Sequence, residues 1–371
     1  MTSDQSSVSG GPHARRTALT HVRVFDGEKL REPGTVVLDG SVISASGDAQ
    51  GAQEVDGRGG VLLPGLIDAH IHLADLATLH AFAGYGITTA LDMGTWPSSL
   101  VDSLRGRAGL TDIRSSTVGA TSPASNHAKR LGRPAGGLVG SPDDAERYVA
   151  ERIAEGADYI KIIIDLPGFD QATVDALVAA AHRRDLRTIT HASSLEATRM
   201  AQRAGVDVLT HAPLDQALSA PDAERAAADG RVIVPTLAMM EGIAAKFGRP
   251  DGSGPSYEAA RASVAALHRA GVPILAGTDA NNTPGVPASP PFGDSLHHEL
   301  ELLTGAGLST VEALRAATVL PAQHFGLTDR GVIAPGKRAD LLLLSGDPVA
   351  DIRATRAIER VWCAGVEYSQ P

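Results

Sequence analysis

Cysteine is almost missing: Cys363 stands alone among 371 residues, so no intrachain disulfide can form and a reducing compartment suits the chain. Aromatic residues make up only 4%, and no stretch approaches the ~18 consecutive apolar residues of a membrane span. Positive charge is short as well. Lys+Arg 33 against Asp+Glu 43 leaves a net charge of -10 with no basic tract, which argues against nucleic acid and anionic membranes as partners. Residues 1–17 are polar and lack the apolar core of a signal peptide, so they read as a disordered tail of a cytoplasmic protein.

What remains is ordinary globular material, 43% hydrophobic and 20% charged. A single core stops growing near ~250–300 residues, so this length fits one large domain and a smaller one. Short alternating segments punctuated by Gly and Pro run from residue 18 to about 55 and return near the C-terminus, which signals antiparallel strands and turns. Two β-rich ends enclosing a different middle predict one small β-domain from residues 18–64 and 331–371.

The middle, residues 65–330, repeats strand then helix. Strands are predicted at 61–73, 87–94, 114–122, 159–165, 187–192, 208–212, 231–238 and 273–280. Helical stretches between them carry start signals: Ser141 as N-cap with Pro142 behind it, and a capping box from Ser309 to Glu312. Eight such units match an α/β fold of the (β/α)8 TIM-barrel kind, whose chemistry gathers at the C-terminal ends of the strands.

Those ends are where the hydrophilic residues fall. The apolar run from Val61 finishes in His70 and His72, with Asp68 just before them. Residues two apart in a strand point the same way about 7 Å along, so both imidazoles can reach one metal ion. Lys161 lies in the fourth strand; His191, His211 and Asp279 end the fifth, sixth and eighth. Neutral imidazoles and a carboxylate suit Zn2+ or a similar divalent ion, and an open coordination position would acidify a water. Four histidines and an aspartate exceed what one ion needs, whereas two ions sharing a bridging hydroxide would use them all.

Lys161 has two readings. Its ammonium would be repelled by two cations unless CO2 converts it to a carbamate that bridges them. The alternative is a strand lysine paired with Asp165 or another carboxylate.

The segments GLIDAHIHL, GITTALDMG, the lysine of YIKIIID, THA, THAP, GTDA and the closing GVIAPGKRADLLLLSGDP resemble the amidohydrolase superfamily over residues 18–368. The likeness is to the branch with Xaa-Pro dipeptidase-like and imidazolonepropionase-related hydrolases. It implies that His70, His72 and Asp279 bind a more buried ion, that His191 and His211 bind a more exposed one, and that carboxylated Lys161 joins the two. It further implies hydrolysis of an amide-type C–N bond in a small-molecule substrate, an N-acyl amino acid, dipeptide or cyclic amide. The bridging hydroxide would be the nucleophile and Asp279 the acid/base. Relatives often form homo-oligomers.

Substrate-contact candidates are His127, in a loop where relatives often carry Gly-Gly-His, together with Met239 and Met240 as an apolar wall and one of His297 and His298. Lys129 and Arg130 either bind a substrate carboxylate or are solvated surface charges. His80, His182, His268 and His324 fall on predicted helices and read as structural, Asp92 as a hydrogen-bonding support, and the proline-rich loop 281–295 as a shaper of the pocket. Two other functions compete. A one-metal deaminase would leave Lys161 without a metal role, and no His-x-x-Glu follows the fifth strand, since Glu196 lies five residues after His191. A metal-stabilised binding protein would have no need of the complete ligand set.

Overall fold

A computed structural model describes residues 16–132, 134–249 and 251–370. The chain begins with β1 (Arg16–Val24), β2 (Gly34–Asp39), β3 (Val42–Ile43), β4 (Gln53–Asp56) and β5 (Val61–Pro64). There follow β6 (Leu66–Ile71), β7 (Ile87–Asp92), β8 (Asp112–Ser115), β9 (Ala120–Thr121), β10 (Ile160–Ile163), β11 (Thr188–His191), β12 (Val208–Thr210) and β13 (Val232–Val234). The last strands are β14 (Leu341–Leu344), β15 (Ile358–Cys363) and β16 (Val366–Glu367). Most of the predicted tail lies outside the described residues, but Arg16 and Thr17 already belong to β1, where they pair with Asp39 and Leu38.

Both termini meet in one eight-stranded sheet, ordered β16-β15-β14-β5-β1-β2-β3 with β4 beside β1. β1 is the shared strand: its first half pairs with β2 and β4, and its last residues, Arg23 and Val24, pair with β5. Between the termini lie two parallel sheets, β6-β7-β8 and β9-β10-β11-β12-β13. Their strands are buried almost throughout, as expected of parallel strands covered on both faces. Segment 273–280 connects the two sheets, bridging Ile274 to Ile233 of β13 and Ala280 to Ile71 of β6.

Four predicted strands differ from the structure. Residues 61–73 form two strands, because the chain passes between sheets at Gly65, where any Cβ would collide with the Thr88 side chain. Residues 114–122 split into β8 and β9 around Thr117, held left-handed at φ 54. Residues 231–238 form a strand only to Val234; Thr236 then turns at φ 50 into the helix Leu237–Phe247, whose Leu, Ala and Met residues are strong helix formers. Residues 273–280 make single bridges and no ladder, because Asp279 is left-handed at φ 58. The Ser309–Glu312 capping box is present in both directions, and at Ser141 a short 3-10 turn precedes the helix Ala145–Ala154.

Arg330 ties the middle to the terminal sheet. Its buried guanidinium donates to Thr89 Oγ1 at 2.9 Å and Asp112 Oδ2 at 2.8 Å, and lies 3.9 Å from Asp340, just before β14. Breaking a buried ion pair from one side strands the other charge. Arg330→Ala should therefore lower folding stability by about 3–5 kcal/mol in chemical denaturation, and an unchanged midpoint would contradict this role.

Candidate metal centre

The site begins at β6. Asp68 is fully buried and accepts from the His70 backbone N–H at 3.1 Å, from Thr278 N–H at 3.1 Å and from Thr278 Oγ1 at 2.8 Å. Burial nevertheless pushes its carboxyl up to about 7. This clamp seats segment 276–280 against β6, aided by Gly277, where a Cβ would come within 2.8 Å of the His70 nitrogen. The left-handed turn at Asp279 lets its N–H donate to His70 O at 2.7 Å while its side chain turns back to the histidines. Asp279 Oδ1 stands 3.1 Å from His72 Nε2 and 3.5 Å from His70 Nε2.

The remaining members come from β10, β11 and β12. His211, just past β12, is left-handed at φ 73, and its Nδ1 lies 2.7 Å from Thr236 Oγ1. Its ring is 4.9 Å from that of His70 and 4.3 Å from that of His191. Lys161 interrupts the apolar run of β10, is 2% exposed and donates to Thr210 Oγ1 at 2.9 Å. Asp165 accepts from the His127 backbone N–H at 2.6 Å.

The imidazoles are in the neutral form that a metal ion needs. Burial holds the His70 and His211 imidazoles well below the ordinary histidine value, and the Lys161 charge adds to the effect, so both rings carry lone pairs at neutral pH. His70 Nδ1 is buried with no hydrogen-bond partner. One ligand atom from each of His70, His211 and Asp279 lies within 4.8 Å of the others. Neutral imidazoles, a carboxylate and an orphaned buried nitrogen are a donor set that fits a divalent ion.

A cavity of about 1360 Å3 opens over these residues, and His70, His72, Lys161, His191, His211 and Asp279 all line it. So do His127, whose ring is 5.6 Å from His191, and Met239 and Met240, which stand on a helix rather than at a strand end. His298 is not among the lining residues; its Nε2 pairs with Glu241 at 2.7 Å, because it faces outward on the helix Asp294–Gly305. His297 turns the other way and is wholly buried against Thr355 and Tyr85. Asp92 accepts from Leu73 N–H at 3.2 Å, one residue beyond His72, and from Thr95 N–H at 3.1 Å.

Sequence reasoning passed over Thr210, Thr236, Thr278 and Glu299. The buried Glu299 accepts from Leu237 N–H at 2.9 Å and Ala238 N–H at 2.7 Å, pinning the helix that follows Thr236. Thr210, inside THAP, and Thr278, inside GTDA, carried a local signal.

His297 supplies a pH test. Burial, reinforced by Arg356, lowers its value to about 4. Unfolded chains take up this proton once pH drops below about 6.5, while folded ones resist until about 4. The contribution is present above pH 6.5 and is lost toward pH 4, a change of roughly 3 kcal/mol. His297→Gln should flatten the stability-versus-pH curve in that window, and an unchanged curve would contradict the assignment.

The model for the amidohydrolase family matches residues 61–367. Relatives include an imidazolonepropionase of Deinococcus deserti, 31% identical over 58% of this chain and 49% of that protein. An adenine deaminase of Gluconobacter oxydans is 28% identical over 88% and 54%, and an uncharacterized protein of Mycobacterium tuberculosis is 30% identical over 78% and 80%. The chain spans about half the length of the first curated relatives it matches. Among solved structures, a Xaa-Pro dipeptidase with methionine in its active site superposes with a TM-score of 0.79 at 23% identity, over 96% of this chain and 100% of that one. A prolidase complexed with N-methylphosphonate-L-proline gives 0.78 at 25%, over 96% and 100%. These neighbours give the two parallel sheets a TIM-barrel-like α/β fold, and by the match over residues 61–367 the chain belongs to the amidohydrolase family.

Proposed function

We propose that this chain is a metal-dependent hydrolase cleaving an amide-type C–N bond in a small molecule such as an N-acyl amino acid, a dipeptide or a cyclic amide. The observation carrying this reading is the meeting of His70, His211 and Asp279 within 4.8 Å at the floor of the cavity. In this reading residues 65–330 close as one (β/α)8 barrel, residues 18–64 and 331–371 form a β-sandwich, and the protein works in the cytoplasm, as a homo-oligomer in the manner of its relatives.

His70, His72 and Asp279 would hold one ion, His191 and His211 a second, and Lys161 as a CO2-derived carbamate would link them. A carbamate nitrogen keeps one hydrogen, so the bond to Thr210 Oγ1 survives the modification. Two bound divalent ions, Zn2+ in this reading, supply an acidified water and polarise the scissile carbonyl. The chain's own residues do the rest. Asp279, whose Oδ1 stands 3.1 Å from His72 Nε2, accepts the proton of the attacking water at its carboxylate and passes it to the departing nitrogen. Thr236 fixes the His211 ring through Nδ1, leaving Nε2 for the ion.

A second reading, one-metal deamination, is favoured by the likeness to adenine deaminase. Metal analysis separates them: two ions per chain support the carbamate-bridged pair, and one supports the deaminase. Chelation should abolish turnover and added Zn2+ restore it, whereas a non-catalytic metal-stabilised protein would lose only thermal stability. Asp279→Asn should keep the far-UV circular dichroism of the parent and lower kcat by roughly 10²–10⁴-fold or more. Substantial residual turnover would remove Asp279 from its role.

A further inference from the structure

The cavity is larger than its floor requires. At about 1360 Å3 it exceeds the roughly 300–1,000 Å3 of an ordinary small-ligand site. One helix contributes an apolar strip to its lining. Along Leu237–Phe247, lining residues Met239, Met240, Ile243 and Phe247 recur at helical spacing, so they share a face. The wall they make is ~12 Å long. It starts deep, with Met239 3% and Met240 1% exposed beside the turn that holds His211, and ends at the mouth, where Phe247 is 47% exposed. Trp96 and Val286 line the same cavity, and Trp96 is 54% exposed.

In a chain with only 4% aromatics, two large exposed rings stand at one mouth, and Lys246 Nζ lies 5.2 Å from the centroid of one of them, Phe247. Two carboxylates line the same cavity: Asp165, which accepts from His127 N–H, and Asp215, which accepts from Leu195 N–H at 2.9 Å. The cations of the rim, Arg130 and Lys246, are exposed, and among the described residues neither forms an ion pair.

We infer that the site takes amides bearing a bulky uncharged apolar group, aryl or branched alkyl, which lies along the face of helix Leu237–Phe247 and is covered at the mouth by Trp96. This rests on the hydrolase reading for the bond cleaved, but not for the group bound. Burying each added methylene on such a wall tightens binding by about fourfold.

The test uses the full-length, Zn2+-loaded chain and a series from acetamide through N-butyl- to N-hexylacetamide, with N-benzylacetamide. Trp362 is 1% exposed, so Trp96 is the tryptophan that reports occupancy. The expected result is a shift in Trp96 emission, lost in Trp96→Phe, with Kd falling about fourfold per methylene. Phe247→Ser and Ile243→Asn should flatten that gradient. Carboxylate-ended and ammonium-ended analogues of equal length should bind more weakly than the alkyl parent. A flat series, or tighter binding of the carboxylate-ended analogue at Arg130 and Lys246, overturns the inference. A steep gradient with no hydrolysis of any amide would leave this inference standing and contradict the hydrolase reading; turnover with a flat gradient would do the reverse.

Discussion

The carboxylate of Asp68, buried beneath His70, holds together two stretches 210 residues apart. It takes hydrogen bonds from both, and by doing so fixes the irregular segment 276–280 against β6. That irregularity has a use. A ladder through 278–280 would point the Asp279 side chain across the sheet, whereas the left-handed turn aims it at His70 and His72. The absence of a Cβ at Gly277 permits the close approach.

The centre is bought with buried polarity. Lys161, His70, His211 and Asp68 are almost wholly out of water, and burial shifts the last three away from their ordinary values. Such groups stay folded only where partners satisfy them. The threonines do much of this: Thr210 receives the Lys161 amine, Thr236 meets His211 and Thr278 donates to Asp68. Among the atoms left without a partner is His70 Nδ1, on a residue of the proposed cluster of ligands, and functional sites are where such departures from consistency are expected.

Much of this was legible in the sequence. Apolar runs ending in His, Lys or Asp announced strands and candidate site, because a hydrophilic residue at the end of a buried strand needs a polar partner there. The two β-rich ends announced a β-domain shared by both termini, whose strands here form a single sheet, and Ser309 with Glu312 announced a helix start. What escaped was set by partners far away in the chain. The break at Gly65 depends on Thr88, the short β13 on the helix that Glu299 pins, and the orientation of His298 on Glu241. Met239 was legible as apolar and near the site, but not as part of a helical wall, since Leu-Ala-Met-Met reads equally as the tail of a buried strand.

The account is tested most directly by crystal diffraction at the zinc absorption edge on the Zn2+-loaded chain. It predicts two anomalous peaks, one among His70, His72 and Asp279 and one between His191 and His211, joined by extra density on Lys161 Nζ. No peak among His70, His211 and Asp279 would contradict it.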